Sequence, residues 1–173
     1  MKKTKYILFF FFILLLQTTS GAQPPHYVDF KYVLNESKAG KEAQIFLKKK
    51  LDSGIKSLQK SEKEIQEEEK KIIQQKKLIS PEDYKTKVTK LREKVASLQN
   101  QRNKLLDTVA KQRSKARTEL LKNLNPIIKD YMNEKKIRMV LDKKSILLAD
   151  ENLDITKEIT DLLNKKLKSI NLK

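Results

Sequence analysis

A heptad repeat of apolar residues on both sides of one proline, Pro81, is the strongest constraint on this chain. One position of the repeat is apolar in every heptad before the proline, and a matching position is apolar after it until it reaches Gln112. Such a repeat predicts two helices that pack along one side. We call its apolar residues the arm seam: Leu51, Leu58, Ile65, Ile72, Ile79, Tyr84, Leu91, Leu98 and Leu105.

The two halves of the repeat mirror each other about Ser80–Pro81. Each seam residue has a counterpart on the other side such that the two residue numbers sum to 163, as antiparallel helices with facing layers require. Ser80 suits a helix cap, Pro81 suits the first helical position, and Asp83 lies three residues after the cap. We therefore predict a helical hairpin with its tip at 79–82. The alternative is one continuous helix that is kinked at the proline.

The companion position of the repeat becomes polar toward the tip. Ile55 opens this position, and charged residues follow it: Glu62, Glu69 and Lys76. Two helices that share one apolar seam bury little surface, so we expect the hairpin, residues 44–122, to be a flexible arm, most of all near its tip. At about 1.5 Å per residue, the segment 44–79 would extend about 54 Å.

The first 22 residues have the layout of a secretory signal peptide. Lysines precede an unbroken apolar run, Tyr6–Leu16, and the small residues Ser20 and Ala22 follow it. We predict that residues 1–22 are removed by cleavage after Ala22 and that the remaining chain is exported. The alternative is an uncleaved membrane anchor, although the run is shorter than the roughly 20 residues that span a bilayer.

Residues 23–43 predict the first part of a small base on which the arm is mounted. The prolines at 24–25 open a short strand that runs to Asp29, and Asp29 can cap the helical stretch that follows. Gly40 suggests an irregularity before the long helix of the arm.

Residues 123–173 predict the second part of the base. A helix restarts at Pro126, and two apolar runs, 137–142 and 146–150, are spaced as in a β-hairpin. A final amphipathic helix has Asp154 as its expected cap.

These elements predict a mainly α fold with a small β base, from which one long antiparallel helical hairpin projects. A base of three short strands and a few helical turns would hardly support such an arm alone, so we expect oligomerisation through it. Seven residues are predicted to form the base core: Val28, Ile137, Met139, Leu141, Leu147, Ile155 and Ile159.

The positive charge of the chain is concentrated in the arm. The formal charge is +17, or +14 after removal of the three lysines of the signal segment, and residues 48–122 hold 22 Lys or Arg against 11 Asp or Glu. Such a field suits acidic polypeptides, anionic lipid or lipopolysaccharide. Nucleic acid is disfavoured by the export signal and by the lack of base-stacking aromatics on the basic helix. The basic residues predicted to face a bound client are Lys85, Lys87, Lys90, Arg92, Lys94, Arg102, Lys104, Lys111 and Arg113.

The residue inventory argues against an enzyme. The chain has no cysteine, His26 is its one histidine, and its three glycines cannot form a phosphate-binding loop or a dinucleotide fingerprint. No serine has a histidine placed to activate it. We therefore expect no catalytic site, no metal and no cofactor.

Two segments resemble the Skp/OmpH family of periplasmic chaperones. They are "YVDFKYVLNESKAGKEAQ" near the predicted mature N-terminus and "IRMVLDKKSILLADENLDITKEITDLLNKKL" near the C-terminus. The resemblance implies a homotrimer whose base strands form a small barrel, with three hairpins enclosing a cavity that holds unfolded outer-membrane proteins without using nucleotide. It also implies possible lipopolysaccharide contact on the arms, without assigning residues to it. The competing hypothesis is a membrane-anchored structural coiled-coil adaptor of the cell envelope.

Overall fold

The computed structural model describes residues 24–172, so the predicted signal peptide lies outside the described residues. Its strands are β1 (His26–Val28) and β2 (Val140–Asp142). Its helices are α1 (Phe30–Glu36), α2 (Lys38–Gln75), α3 (Pro81–Lys135) and α4 (Thr156–Lys166), with two single 3₁₀ turns at Lys143–Ser145 and Glu151–Leu153.

Helices α2 and α3 form the predicted hairpin. They contain 38 and 55 residues, which correspond to lengths of about 57 and 82 Å. The connection closes as the turn residues predict, because the Ser80 hydroxyl accepts a hydrogen bond from the Asp83 amide at 3.1 Å and Pro81 begins the returning helix. The hairpin is confirmed, and the alternative of one kinked helix is wrong.

The predicted helix restart at Pro126 is wrong, because α3 runs through this residue without a break. A proline inside a helix has no N–H to donate to the carbonyl four residues earlier, here that of Lys122. Both neighbouring turns are held by buried side chains of the base, Leu124 and Ile127, which keep the helix continuous. The second helix of the arm and the first helix predicted for residues 123–173 are therefore one continuous helix, α3.

The small sheet differs from the predicted β-hairpin. Strand β2 pairs in parallel with β1, with His26 opposite Val140 and Val28 opposite Asp142. The second apolar run, 146–150, is not a strand. A parallel pair cannot be joined by a tight turn, and here the connection between its strands includes the whole arm.

Instead of a third strand, a single residue, Asp154, adds to the small sheet. It forms an isolated parallel bridge to Tyr27, and the Ile155 amide donates to the Tyr27 carbonyl at 3.0 Å. The Asp154 carboxylate accepts from the Thr156 amide at 2.9 Å and from Lys143 Nζ at 3.1 Å. The cap position of α4 is Ile155 rather than the predicted Asp154, yet the Asp154 side chain still satisfies the first amide of the helix.

Helix α1 packs closely on α2, and the break between them lies at Ser37 rather than at Gly40. The Asp29 side chain caps α1 as predicted, and the Ser37 hydroxyl caps α2 by accepting from the Gly40 amide at 3.2 Å. A Cβ on Gly40 would lie 2.0 Å from the Leu34 carbonyl oxygen. Glycine is therefore needed at this position for the close approach of the two helices.

The core of the base lies where α1, α3, α4 and β1 meet. Val28, Val33, Leu124, Ile159 and Leu163 are fully or almost fully enclosed there. The Asp29 amide donates to the Thr156 hydroxyl at 2.8 Å, which ties the end of β1 to the start of α4. The two ends of the described chain thus share one core.

The segment after α4, residues 167–172, runs back to the root of the arm. Leu172 is buried in a second apolar cluster with Ala43, Leu47 and Ala116, and Ile170 packs against both this cluster and the base core. We call residues 167–172 the strap.

Candidate functional site: the basic arm

The arm seam is sealed only in part. Leu58 and Ile72 are buried, whereas the other seam residues are half-buried. On the companion position, Ile55 and Val95 are exposed. The hairpin therefore presents a flank along which apolar side chains remain accessible.

Polar contacts between the helices fix the register of the arm. Gln75 accepts a hydrogen bond from Lys87 at 2.6 Å, Glu68 pairs with Lys94, and Glu62 pairs with Arg102 at 4.0 Å. In each pair the two residue numbers sum to 162 or 164, within one of the predicted 163. The mirrored repeat thus predicted the register of the facing layers.

A glycine allows one seam leucine to approach the opposite helix closely. A Cβ on Gly54 would lie 2.5 Å from both terminal methyl groups of Leu105. Leu105 therefore packs against the backbone of α2 near the root of the arm, between the buried layers of Leu47 and Leu58. A larger side chain at position 54 would force the leucine to change rotamer.

The nine basic residues predicted to face a client fall into two groups. Four have partners: Lys94 and Arg102 pair across the hairpin, Lys111 pairs with Asp107 one turn away, and half-buried Lys87 is hydrogen-bonded to Gln75. Among the described residues, no carboxylate pairs with the remaining five. These exposed residues are Lys85, Lys90, Arg92, Lys104 and Arg113, and we call them the free basic set.

The residues predicted for the base core lie at different depths in the structure. Val28, Ile137, Ile155 and Ile159 are buried, and Leu141 is half-buried in β2. Met139 and Leu147 lie outside the core, and the exposed fraction of the Leu147 side chain is 96%. The prediction failed for these two because it assumed a β-hairpin, whereas the chain leaves the sheet at Asp142 and residues 147–150 are exposed.

Three exposed apolar side chains of the base lie on either side of β2 in the sequence. Leu147 and its neighbour Leu148 are almost entirely exposed, and Met139 is more than half exposed. Adjacent apolar residues with this exposure mark a surface that gains free energy when it is covered.

A groove in the base, with a volume of about 440 Å³, brings together residues that the sequence did not associate. His26, Tyr131, Lys135 and Glu158 line it, and the His26 Nδ1 atom is buried without a hydrogen-bond partner in the described part of the chain. Burial, with a contribution from Glu158, raises the pKa of Tyr131 above its ordinary value.

The sequence did not predict the strap. Gln112, which interrupts the heptad position after Leu105, donates from Nε2 to the Leu172 carbonyl at 2.7 Å. The polar break in the repeat is therefore the point where the strap crosses the arm. The apolar residues Leu167, Ile170 and Leu172 could have indicated a buried segment, but their spacing follows neither the helical nor the strand period.

Residues 26–163 match the family described as "Outer membrane protein (OmpH-like)". The chain belongs to this OmpH-like family. The match begins at β1 and ends inside α4, so it includes the complete arm and the base as far as residue 163.

The OmpH-like fold is also found in a solved structure. A protein of Caulobacter crescentus CB15, described as an OmpH-like outer membrane chaperone, superposes with a TM-score of 0.80. It is 21% identical to this chain, and the alignment covers 90% of this chain and 94% of the other. A comparison with curated proteins gave no match.

Within residues 24–172, none of the helices combines the length and apolarity required to cross a membrane.

Proposed function

We propose that this OmpH-like chain is an ATP-independent holdase chaperone of the periplasm, which binds unfolded outer-membrane proteins between its arms and prevents their aggregation. The observation that carries the proposal is the arm itself: a long hairpin with an incompletely sealed apolar seam and the free basic set on its second helix. An unfolded β-barrel protein offers both apolar segments and carboxylates, so such an arm can hold it by many weak contacts.

We propose further that the chain acts as a homotrimer assembled through the base. Leu147 and Leu148 are exposed side by side next to a two-stranded sheet, and a second copy of the base would cover them. Light scattering on residues 23–173 gives a trimer mass under this proposal. Replacement of both leucines by serine lowers that mass, and a trimer that persists in the double variant would rule out this face as the interface.

The export of the chain is tested by the intact mass of the protein recovered from the cell envelope. A chain that begins at Gln23 supports cleavage after Ala22 and a soluble periplasmic protein. A chain that still begins at Met1 supports the membrane-anchored adaptor instead.

The chaperone function is tested by diluting an outer-membrane β-barrel protein from urea and following its aggregation by light scattering. We expect the chain to suppress aggregation equally with and without ATP. Changing the free basic set to glutamine should weaken client binding about tenfold at low salt, since several long-range attractions are lost together.

The matched control removes the same amount of positive charge from the base. It changes five exposed residues of the base and the strap to glutamine: Lys129, Arg138, Lys165, Lys166 and Lys168. Suppression by this control should remain close to that of the wild type. An equal loss in both variants would show that only net charge matters, and no suppression by the wild type would refute the holdase function.

A further inference from the structure

The strap covers an apolar surface at the root of the arm, where α2 and α3 face each other. Ile170 and Leu172 of the strap lie against this surface. We call the surface the root groove, and its residues are Ala43, Phe46, Leu47, Val109 and Ala116. The match to the OmpH-like family ends at residue 163, so the segment that covers the root groove lies outside that match.

The strap lies in the root groove as an extended segment. Residues 167–172 include no helix and no strand. Leu172 is buried and Ile170 is half-buried, whereas Ser169 and Asn171 are exposed. This alternation of inward and outward side chains is the period of a strand. The root groove therefore accepts an extended segment that has an apolar side chain at every second position.

Gln112 binds the strap through the backbone of the strap and not through a side chain. Its Nε2 atom donates to the Leu172 carbonyl at 2.7 Å. Its Oε1 atom is buried and has no hydrogen-bond partner within residues 24–172. An extended residue presents its N–H and its C=O on the same edge, so one carboxamide can bind both groups. The strap uses only the donor of the carboxamide, and a buried acceptor without a partner costs free energy.

The strap does not fill the root groove. A cavity of about 300 Å³ remains beside it. The cavity is lined from α2 by Glu42, Ala43 and Phe46 and from the strap by Ile170, Asn171 and Leu172. A segment with larger apolar side chains would therefore make more contacts in the root groove than the strap does.

The strap and the helix that it contacts carry charge of the same sign. Residues 165–172 contain three lysines and no acid, and residues 111–117 of α3 contain four basic residues and no acid. Like charges weaken a contact, whereas aspartate or glutamate at the outward positions of a bound segment would be attracted to α3. The charge at the root of the arm thus favours an acidic occupant over the strap.

We propose that the root groove is a binding site for an extended, acidic segment of an unfolded client with apolar side chains at alternate positions, and that the strap is an intramolecular competitor which this segment displaces. The strands of outer-membrane β-barrel proteins have this alternation. The identity of the ligand rests on the proposed holdase function, and the site and its competitor go beyond it. The strap of a second copy is the weaker occupant, because it would bring the same lysines and the same single hydrogen bond.

Hydrogen exchange on residues 23–173 tests the displacement without any substitution. The probe is a synthetic peptide of about ten residues, the length of one transmembrane β-strand, with valine and leucine alternating with serine and aspartate. We expect the probe to slow exchange at residues 43–47 and 109–116 and to accelerate it at residues 167–172. Exchange at the strap that stays unchanged at saturating probe would overturn the proposal.

Variants of the strap should change the affinity for the labelled probe, measured by fluorescence anisotropy. Leu172→Ser should bind the probe about tenfold more tightly, because a weakened strap leaves a larger fraction of the chain open to the probe. Ser169→Ala, at an exposed position of the same segment, is the control and should bind as the wild type does. Equal affinities in Leu172→Ser and the wild type would show that the strap does not compete.

A cross-link should have the opposite effect on affinity. The chain has no cysteine, so dibromobimane can join only the two thiols introduced by Ala43→Cys and Leu172→Cys, positions that pack in one cluster. The cross-linked protein should bind the probe at least about tenfold more weakly than the same protein before the reaction. The proposal is wrong if the cross-link leaves the affinity unchanged.

The role of the Gln112 carboxamide needs a chain in which the strap no longer competes. In the Leu172→Ser background, Gln112→Leu keeps a side chain of similar size but removes both hydrogen-bonding atoms. Affinity for the probe should fall about tenfold, since two hydrogen bonds to its backbone are lost. An unchanged affinity would show that the carboxamide does not bind the backbone of the ligand.

Two further peptides identify the occupant. One has the composition of the probe with its apolar residues grouped together, and the other has the sequence of residues 165–172. Both should bind about tenfold more weakly than the probe, because the first lacks the alternation and the second repeats the charge of α3. A strap-sequence peptide that binds as tightly as the probe would assign the root groove to a second copy and overturn the client assignment.

The holdase function has a separate measurement, which is suppression of client aggregation by the wild type without peptide. Suppression without displacement of the strap by the probe would refute the root groove alone. Displacement by the probe without suppression would refute the holdase function and leave the peptide site in place.

Discussion

In the base, apolar side chains from elements far apart in sequence enclose one another. Val28, Leu124, Ile159 and Leu163 have almost no exposed surface. In the described arm between residues 48 and 115, by contrast, only Leu58 and Ile72 are buried. The free energy of folding is therefore gained mainly in the base, and the arm is kept helical by one partly sealed seam.

Because of this difference in burial, the base and the arm should tolerate substitutions differently. A change in the base leaves a cavity that neighbouring elements cannot fill, whereas a change in the arm removes a contact that was already half solvated. It also gives them different dynamics, since segments with few buried contacts open locally at low cost. For a proposed holdase, this leaves the arm free to adapt to a client while the base remains folded.

The largest expected effect compares two leucines of the same helix. Leu124→Ala should lower the free energy of unfolding by about 3 kcal/mol, because it empties a fully enclosed position. Leu98→Ala, in the half-buried arm seam, should lower it by only about 1 kcal/mol. Urea unfolding followed by circular dichroism measures both. Equal losses of unfolding free energy would contradict the difference in side-chain burial between the base and the arm.

The strap defines where the base ends and the arm begins. Leu172→Ala should lower the free energy of unfolding by about 2 kcal/mol by opening the cluster around Ala43 and Ala116. Hydrogen exchange should then accelerate at residues 43–47 and 109–116 but not in α4. Lys168→Ala, an exposed change in the same segment, serves as the control, and unchanged exchange at the root in Leu172→Ala would show that the strap does not stabilise the arm.

Asp154 bridges to β1 through its backbone, and its carboxylate accepts hydrogen bonds from Lys143 and from the first amide of α4. Burial alone would raise its pKa, but hydrogen bonds from Thr156 and Lys143 outweigh that effect and hold the pKa below its ordinary value. The charged form therefore stabilises the fold above the unfolded pKa of about 4, and this contribution is lost as the pH falls through the lower folded pKa.

Asp154→Asn should consequently lower the free energy of unfolding by about 1 kcal/mol at neutral pH. The difference from the wild type should shrink as the pH falls from about 4, the unfolded pKa, through the lower folded pKa at which the wild-type carboxylate becomes protonated. Unfolding curves between neutral and acidic pH test this, and a difference that stays constant with pH would exclude the carboxylate as its cause.

The smallest expected effect concerns the end of α3. Lys136 adopts a left-handed conformation with φ of 57°, which costs free energy for any residue with a Cβ. Lys136→Gly should raise the free energy of unfolding by about 0.5 kcal/mol, because glycine avoids that strain at a helix end. The same change at Lys129, an exposed residue within helix α3, should lower the free energy of unfolding by about 1 kcal/mol. A lower free energy of unfolding in both variants would contradict backbone strain at Lys136.

The arm could be predicted from the sequence because its determinants are local or periodic. The seven-residue spacing of the arm seam, together with the cap at Ser80 and the proline after it, specifies both helices, their turn and their register. Local hydrogen bonds likewise made Asp29 predictable as the cap of α1.

The base was harder to predict because its partners are distant in sequence. The apolar runs at 137–142 and 146–150 have the composition of two strands, but the first pairs with His26–Val28 and the second pairs with no strand of the described chain. Pro126 was misleading because tertiary packing holds a helix that its local preference would end. The free basic set could not be separated from Lys94 and Arg102, since the pairing of these two depends on which carboxylates the opposite helix brings near.

The parallel alignment of β1 and β2 has a consequence for how the molecule reaches its native state. The two strands are separated by more than a hundred residues, so the loss of entropy on closing that loop would be large for a disordered chain. The arm removes most of this barrier, because a hairpin that has folded on its own brings its two ends together. Assembly of the sheet therefore waits for the arm, and a chain that is synthesised N-terminus first must keep β1 unpaired until the second helix has been made.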